Sequence, residues 1–198
     1  AFLRSGEQAT GRVMYFAAAF LIFCAACTVL AFLRHPIYGL YFYLASTFVF
    51  PPSRWWGYLF GETRWSLIAA GVTVLAVLLH RGKLQAKPVW LASVPAMVFA
   101  MYTAWMFIQF PWALDLEAHL NGSSQYAKYL VAFWFVYRII DTKERVRDLL
   151  FAHLLGCALL GILAVAAGRD LGDRLDGVGG PGMDDANTLG MYFATGAL

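Results

Sequence analysis

Charged residues are scarce in this chain of 198 amino acids. Asp, Glu, Lys and Arg make up only 14% of it, whereas 61% of the residues are hydrophobic. Soluble domains carry about 25% charged residues, so the composition excludes an ordinary soluble protein and indicates an integral membrane protein. The net charge of +3 is small, and it gives no indication of a nucleic-acid partner.

The signatures of several enzyme classes are also missing. The sequence has no Ser-His-Asp arrangement, no HExxH motif, no P-loop and no dinucleotide-binding fingerprint. Cysteine is rare, with three residues that all lie in apolar segments. Cys24 and Cys27 have the spacing of a metal or redox pair, but no neighbouring charge favours a reactive thiolate there. We therefore interpret the cysteines as small buried residues and predict neither a metal nor a cofactor.

Hydrophobic residues instead form long segments separated by short polar loops. The segments cover about residues 13–33, 37–50, 65–79, 89–110, 126–140 and 149–167, and a last one begins near residue 187. Since about 20 apolar residues span a bilayer, the pattern predicts an all-α fold, a polytopic transmembrane helical bundle with about six to seven spans. We treat residues 1–198 as a single transmembrane domain. Because the chain starts at Ala1 and stops at Leu198 inside a new apolar helix, we expect the amino-terminal half of a longer chain.

The loops predict how the chain sits in the membrane. The stretch SRWWGYLFGETRW, from Ser53, is aromatic and polar together, which is typical of the headgroup region. The loops at 80–87 and 138–148 are basic, whereas 111–125 has no lysine or arginine and 169–185 is dominated by acids. Because basic loops remain in the cytoplasm, the acidic loop is predicted to lie outside, on the periplasmic face of a bacterium. The same count of basic residues places the amino terminus outside as well. The basic residues Arg4 and Arg12 near that terminus disagree with this placement.

One polar loop, at residues 168–187, concentrates the chemistry of the chain. The stretch RDLGDRLDGVGGPGMDDAN combines five aspartates and two arginines with a Gly-Gly-Pro-Gly run. Glycine lets the backbone approach a ligand closely, and Asp184, Asp185 and Asn187 are residue types that open helices. A helix amino terminus with a nearby arginine is suited to a phosphate or diphosphate. An ordinary capped membrane loop accounts for the same residues.

Arg174 is the first candidate within this loop, because the fork of a guanidinium matches a diphosphate. Its alternative role is a salt bridge to an aspartate of the same loop. Asp184 and Asp185 could ligate a divalent cation or act in acid–base chemistry. A helix N-cap with an acidic first turn explains the two aspartates equally well.

The histidines are weaker candidates. Asp115, Glu117 and His119 share the second predicted outer loop, where His119 could act as a base or a ligand; an exposed loop histidine without a role is the commoner case. His153, in the sixth segment, is interpreted as an interhelical polar group rather than a proton relay. His35 and His80 are interpreted as anchors at helix ends.

The end of the chain resembles the bacterial O-antigen ligase-like family. The resemblance covers FVYRIIDTKERVRDLLFAHLLGCALLGIL and the following GRDLGDRLDGVGGPGMDDANTLGMYFATGAL, and it is closest to the exosortase-associated O-glycosylation ligases. The family pattern is an arginine, a glycine three residues on, a short glycine and proline run, and an acidic or amide residue before an asparagine that opens a helix. These fall on Arg174, Gly177, Gly179, Gly180, Pro181, Gly182, Asp185 and Asn187. The earlier HPIYGLYFYLASTFVFPPSRWWG is similar to the family's amino-terminal region.

The resemblance implies a GT-C-like glycosyltransferase of the bacterial inner membrane, used in lipopolysaccharide or other cell-envelope polysaccharide biosynthesis. It would transfer a glycan from an undecaprenyl-diphosphate donor to a lipid, protein or polysaccharide acceptor on the periplasmic face. Arg174 would bind the donor diphosphate, and Asp184 or Asp185 would orient the sugar or the acceptor hydroxyl; Gly179, Gly180, Gly182 and Asn187 would complete the diphosphate site. The family's catalytic histidine lies in a later loop. Many relatives have Asn-Pro where this chain has Asp184-Asp185.

Two other functions compete with this expectation. A non-catalytic membrane scaffold or partner subunit would use the same loops to bind other membrane proteins. A transporter would carry charged residues along a pathway inside its spans. The apolar segments here have almost none, which disfavours a transporter.

Overall fold

The computed structural model describes residues 2–167, 190–192 and 194–195, with side chains from Met14 onward. Six long helices lie in this part: α1 (Phe2–Leu33), α2 (Ile37–Val49), α3 (Trp65–Leu79), α4 (Val94–Ile108), α5 (Leu116–Ile139) and α6 (Lys143–Ala167). Residues 190–192 and 194–195 are also helical, and no strand occurs among the described residues. The predicted all-α class is therefore confirmed for this part of the chain.

Two helices are long and apolar enough to cross a membrane. They contain the candidate spans Met14–Leu33 in α1 and Lys143–Ala166 in α6. α3 and α4 are also apolar, but each has 15 residues and is about 22 Å long at 1.5 Å per residue. That length falls short of a hydrocarbon core of about 30 Å. The described helices thus indicate membrane association, and the six to seven predicted spans stay a prediction.

Three helices begin earlier than their hydrophobic residues predicted, and one is shorter. α1 starts at Phe2 rather than near residue 13, and α4 occupies Val94–Ile108 rather than 89–110. The other two early starts are those of α5 and α6. α5 starts at Leu116, inside the predicted outer loop 111–125, because the carboxylate of Asp115 accepts a hydrogen bond from the backbone N–H of Ala118 at 3.0 Å. Glu117 in the first turn adds a favourable charge at the positive helix end. α6 likewise starts at Lys143 with Glu144 in its first turn. Polar first turns extend both helices beyond their apolar part.

The described chain packs as two compact units. Unit 1 comprises Ala1–Arg81 and Lys143–Leu198 and contains α1, α2, α3 and α6; unit 2 comprises Gly82–Thr142 and contains α4 and α5. The expectation of a single domain over residues 1–198 stays a prediction.

α2 is the central helix of unit 1 and contacts α1, α3 and α6. It approaches α3 closely at Gly39, where a Cβ atom would lie 2.5 Å from Oγ1 of Thr73. Phe42, about one turn later in α2, belongs to the same buried cluster as Ala69, about one turn earlier in α3, so the two helices are antiparallel. Phe20 of α1 packs on Trp56, which follows α2, with ring centroids 5.8 Å apart. α1 is therefore antiparallel to α2 as well.

α6 runs parallel to α2. Phe48, near the end of α2, packs on Leu160 in the second half of α6. Tyr41, earlier in α2, lies within electrostatic range of Arg145 near the start of α6. The two helices therefore keep the same direction along their contact.

These directions give unit 1 two distinct ends. At one, which we name the Arg34 end, α1 and α3 finish and α2 and α6 begin. At the other, named the turn end, residues 50–64 connect α2 to α3, and α6 finishes at Ala167. The polar loop that follows α6 in the sequence starts from the turn end.

Unit 2 is an antiparallel pair of helices, α4 and α5, and the segment before α4 is bonded to the end of α5. A ring nitrogen of His119 in α5 contacts the carbonyl oxygen of Met106 in α4 at 2.7 Å. Further along the pair, the rings of Tyr102 and Tyr126 meet edge to face, with centroids 5.3 Å apart. At the end of α5, the ammonium of Lys87 donates to the carbonyl oxygens of Tyr137 and Ile140. Lys87 therefore fixes the segment before α4 to the carboxyl terminus of α5.

Replacing Lys87 with methionine is expected to destabilise the protein by about 1–3 kcal/mol, because hydrogen bonds from a charged group are stronger than neutral ones. The ammonium also compensates the negative end of the α5 dipole. Unfolding in mixed SDS and dodecyl maltoside micelles measures the change. Lys83→Met is the matched control, since Lys83 is exposed in the same segment. Equal destabilisation by the two variants would contradict the capping role.

Candidate functional site

The residues predicted for the diphosphate site fall outside the part of the chain that the structure describes. This applies to Arg174, Asp184, Asp185, Gly179, Gly180, Gly182 and Asn187, and their roles stay predictions. The structure does describe α6, which precedes the polar loop, and residues 190–192, which follow it. It also describes the turn of residues 50–64 at the same end of unit 1.

The helices before and after the polar loop contact each other through polar atoms. The thiol of Cys157 donates to the carbonyl oxygen of Tyr192 at 3.3 Å. A ring nitrogen of His153 lies 3.3 Å from Oγ1 of Thr195 and 3.6 Å from Sγ of Cys157. His153 contacts Thr195, whereas Cys157, later in α6, contacts the earlier residue Tyr192. The two helices are therefore antiparallel. His153 is an interhelical polar group, in agreement with its sequence interpretation.

Phe48 joins α2 to both of these helices. Its side chain is 2% exposed and packs on Cys157 and Leu160 of α6. Its ring centroid lies 5.4 Å from that of His153 and 5.9 Å from that of Tyr192, edge to face in both cases. These aromatic contacts hold the carboxyl end of α2 against the two flanks of the polar loop.

The turn after α2 is organised by Arg54. Phe50 ends the helix with φ of 36°, in the left-handed region. The Nε of Arg54 donates to the carbonyl oxygen of Val49 at 2.7 Å, and Nη2 donates to that of Phe48 at 3.4 Å. Burial lowers the pKa of Arg54 below its ordinary value. The guanidinium thus caps the last carbonyls of α2 and meets the negative end of the helix dipole.

Sequence reasoning did not identify this cap. The available signal was an arginine four residues after the predicted helix end at residue 50, in the stretch PPSRWWG. The left-handed conformation of Phe50, which brings Arg54 back to the helix, is unusual for a residue other than glycine. No pattern in the sequence predicts it.

Aromatic rings surround the turn. Phe20 packs on Trp65 with centroids 5.1 Å apart, and Phe60 packs on Trp65 at 5.2 Å. Trp55 and Tyr58 are instead 59% and 67% exposed. Buried and half-buried rings attach the turn to α1 and α3, and the exposed Trp55 also packs edge to face on Phe16 of α1, with centroids 5.6 Å apart.

The other sequence candidates have structural partners. Asp115 is the N-cap of α5, and a ring nitrogen of His119, on α5, contacts the carbonyl of Met106. Nδ1 of the buried His80 lies 3.0 Å from the carbonyl oxygen of Ala76, and Nδ1 of His35 accepts from the N–H of Ile37 at 3.2 Å. Among the residues that the structure describes, no three His, Cys, Asp or Glu side chains form a metal-binding group.

Comparison of the chain with protein-family models, with curated proteins and with solved structures found no match in any of the three.

Proposed function

We propose that this protein is a polytopic glycosyltransferase of the bacterial inner membrane, with about six to seven spans in this part of its chain. It transfers a glycan from an undecaprenyl-diphosphate donor to a lipid, protein or polysaccharide acceptor on the periplasmic face. The donor diphosphate binds at the polar loop of residues 168–187.

The observation that carries this proposal is that α2 and the helices before and after the polar loop contact one another at the turn end of unit 1. There the buried ring of Phe48 contacts His153 and Tyr192, which belong to the two flanks of the polar loop. Arg54 of the adjacent turn caps the same helix end. Flanks that are packed against a third helix favour a loop with a defined position, and a binding site needs such support.

Charge at the opposite end of unit 1 supports the outward orientation. Arg34, Arg81 and Lys143 lie at the Arg34 end and are exposed. Since basic residues mark the cytoplasmic side, the turn end faces the periplasm. A lipid-linked donor that carries its glycan outside would meet the polar loop on that side.

In the proposed reaction, a hydroxyl of the acceptor attacks the anomeric carbon of the donor glycan, and the bond from that carbon to the diphosphate breaks. Negative charge then develops on the departing lipid diphosphate. Arg174 stabilises this charge through bidentate hydrogen bonds, helped by backbone N–H groups of Gly179, Gly180 and Gly182. Asp184 or Asp185 orients the acceptor hydroxyl.

Arg174→Ala in the natural protein tests this function. The variant lacks the guanidinium hydrogen bonds that stabilise the developing charge. It is therefore expected to transfer glycan about 100-fold more slowly or worse, with folding unchanged. Transfer is measured in membrane vesicles supplied with a lipid-linked glycan. Arg169→Ala, in the same loop, is the control and should retain transfer. Near-normal transfer by Arg174→Ala would refute the role, and an inactive natural protein in a stoichiometric complex would favour a scaffold.

A further inference from the structure

The Arg34 end of unit 1 gathers cations from three helices. Arg34 directly follows α1, and Lys143 is the first residue of α6. Arg81 is separated from the end of α3 by His80 alone. Because α1 and α3 are antiparallel to α2, whereas α6 is parallel to it, these three positions lie at the same end. Arg147 lies one turn further along α6.

These four side chains are exposed. Within the described residues, no carboxylate forms an ion pair with Arg34, Arg81 or Lys143. Arg147 has one weak pair, in which Nη2 is 3.6 Å from Oδ1 of Asp148 and both side chains are more than half exposed. Within unit 1, the described part of this end holds five basic residues and two acidic ones, with Arg145 as the fifth cation and Glu144 and Asp148 as the acids. Lys83 and Asp141, which adjoin these residues in sequence, belong to unit 2 and add one charge of each sign. The end is therefore positively charged and open to solvent or headgroups.

The depth of these cations follows from the two candidate spans. The span Met14–Leu33 stops directly before Arg34, and the span Lys143–Ala166 starts at Lys143. A helix that crosses the hydrocarbon core places its ends among the lipid headgroups. Long cationic side chains at such positions extend toward the phosphates. Arg34 and Lys143 are therefore at the level where lipid phosphate groups lie.

We propose that Arg34, Arg81, Lys143 and Arg147 form a binding surface for the phosphate groups of anionic phospholipids in the cytoplasmic leaflet. The cations are distributed over the ends of three helices, so they suit several headgroups in one plane rather than a single free phosphate ion. Each lysine or arginine close to an anionic surface strengthens binding by about fivefold. This surface is independent of the glycan transfer proposed above.

The test uses purified protein in dodecyl maltoside micelles that contain equal amounts of phosphatidylglycerol and phosphatidylcholine. Wild-type protein is expected to retain phosphatidylglycerol preferentially, and more weakly at high salt. Arg34→Gln, Arg81→Gln and Lys143→Gln should each lower the affinity by about fivefold, and the triple variant should lose the preference. Arg64→Gln, at the turn end, is the matched single-charge control. Melting temperatures without added lipid identify any variant that fails to fold.

Two results would overturn the proposal. One is a triple variant, folded by its melting temperature, that retains the wild-type preference. The other is displacement of the lipid by millimolar inorganic phosphate, which would identify a site for a free anion. Unlike Arg34→Gln, Arg34→Lys should retain wild-type binding, because the surface requires charge rather than the geometry of a guanidinium.

Discussion

Replacing Gly57 with alanine is expected to destabilise the protein by about 3 kcal/mol or more, since overpacking against backbone costs at least as much as overpacking in a core. A Cβ atom at Gly57 would overlap the carbonyl oxygen of Pro51. The backbone has little freedom to move away. The backbone N–H of Gly57 donates to the carbonyl oxygen of Arg54 at 2.8 Å, and the backbone N–H of Arg54 donates to the carbonyl oxygen of Pro51 at 2.9 Å.

Unfolding in mixed SDS and dodecyl maltoside micelles measures this effect. Gly71→Ala is the control, because a Cβ at Gly71 in α3 meets nothing within 4 Å. Alanine in a helix interior is favoured over glycine by roughly 0.5–1 kcal/mol, so this control should be neutral or slightly stabilising. A Gly57→Ala protein as stable as wild type would show that the turn does not have the described geometry.

Gly156→Ala is expected to cost about 1–3 kcal/mol, the usual range for an added methyl group in a packed interface. The new Cβ would overlap the ring of Phe48. That ring is 2% exposed and has His153 and Tyr192 on its other sides. It therefore cannot turn aside without disturbing the helices on either side of the polar loop.

A double-mutant cycle with Phe48→Leu separates this clash from other effects. If the clash causes the loss, the smaller leucine should recover part of the stability of Gly156→Ala, with a coupling of about 0.5–3 kcal/mol. Gly122→Ala on α5 is the control, since a Cβ atom at Gly122 would meet nothing within 4 Å. Additive effects of Phe48→Leu and Gly156→Ala would contradict the contact.

Sequence patterns predicted both limits of α2 and α3 closely. α3 was expected at 65–79 and occupies those residues, and α2 was expected at 37–50 and ends one residue earlier. These helices are bounded by prolines or charged residues, which end apolar segments abruptly. The starts of α1, α5 and α6 were missed because these helices begin in polar stretches. α4 was expected at 89–110 and occupies only Val94–Ile108. Hydrophobicity locates the buried part of a helix, whereas caps determine where the helix begins.

The contacts that define the turn end could not be predicted in the same way. Gly57 is close to Pro51 because two successive turns fold residues 51–57 back, closed by hydrogen bonds from the N–H of Arg54 to Pro51 and from the N–H of Gly57 to Arg54. Gly156 is close to Phe48 only because α6 packs parallel to α2, although the two helices are far apart in the sequence. The second proximity depends on tertiary structure, and one sequence carries no local signal for it. Arg174 and its loop were selected from composition and resemblance, and their roles await the transfer assay.

The parallel packing of α2 on α6 has a consequence for biogenesis. α1, α2 and α3 are adjacent in sequence, so they can associate as soon as the ribosome has released them. α6 begins only at Lys143, after the whole of unit 2, and synthesis of those intervening residues takes on the order of several seconds. During that interval the face of α2 around Phe48 has no α6 to cover it. Assembly of unit 1 is therefore a late event, completed when the last described helices emerge and cover this aromatic side chain.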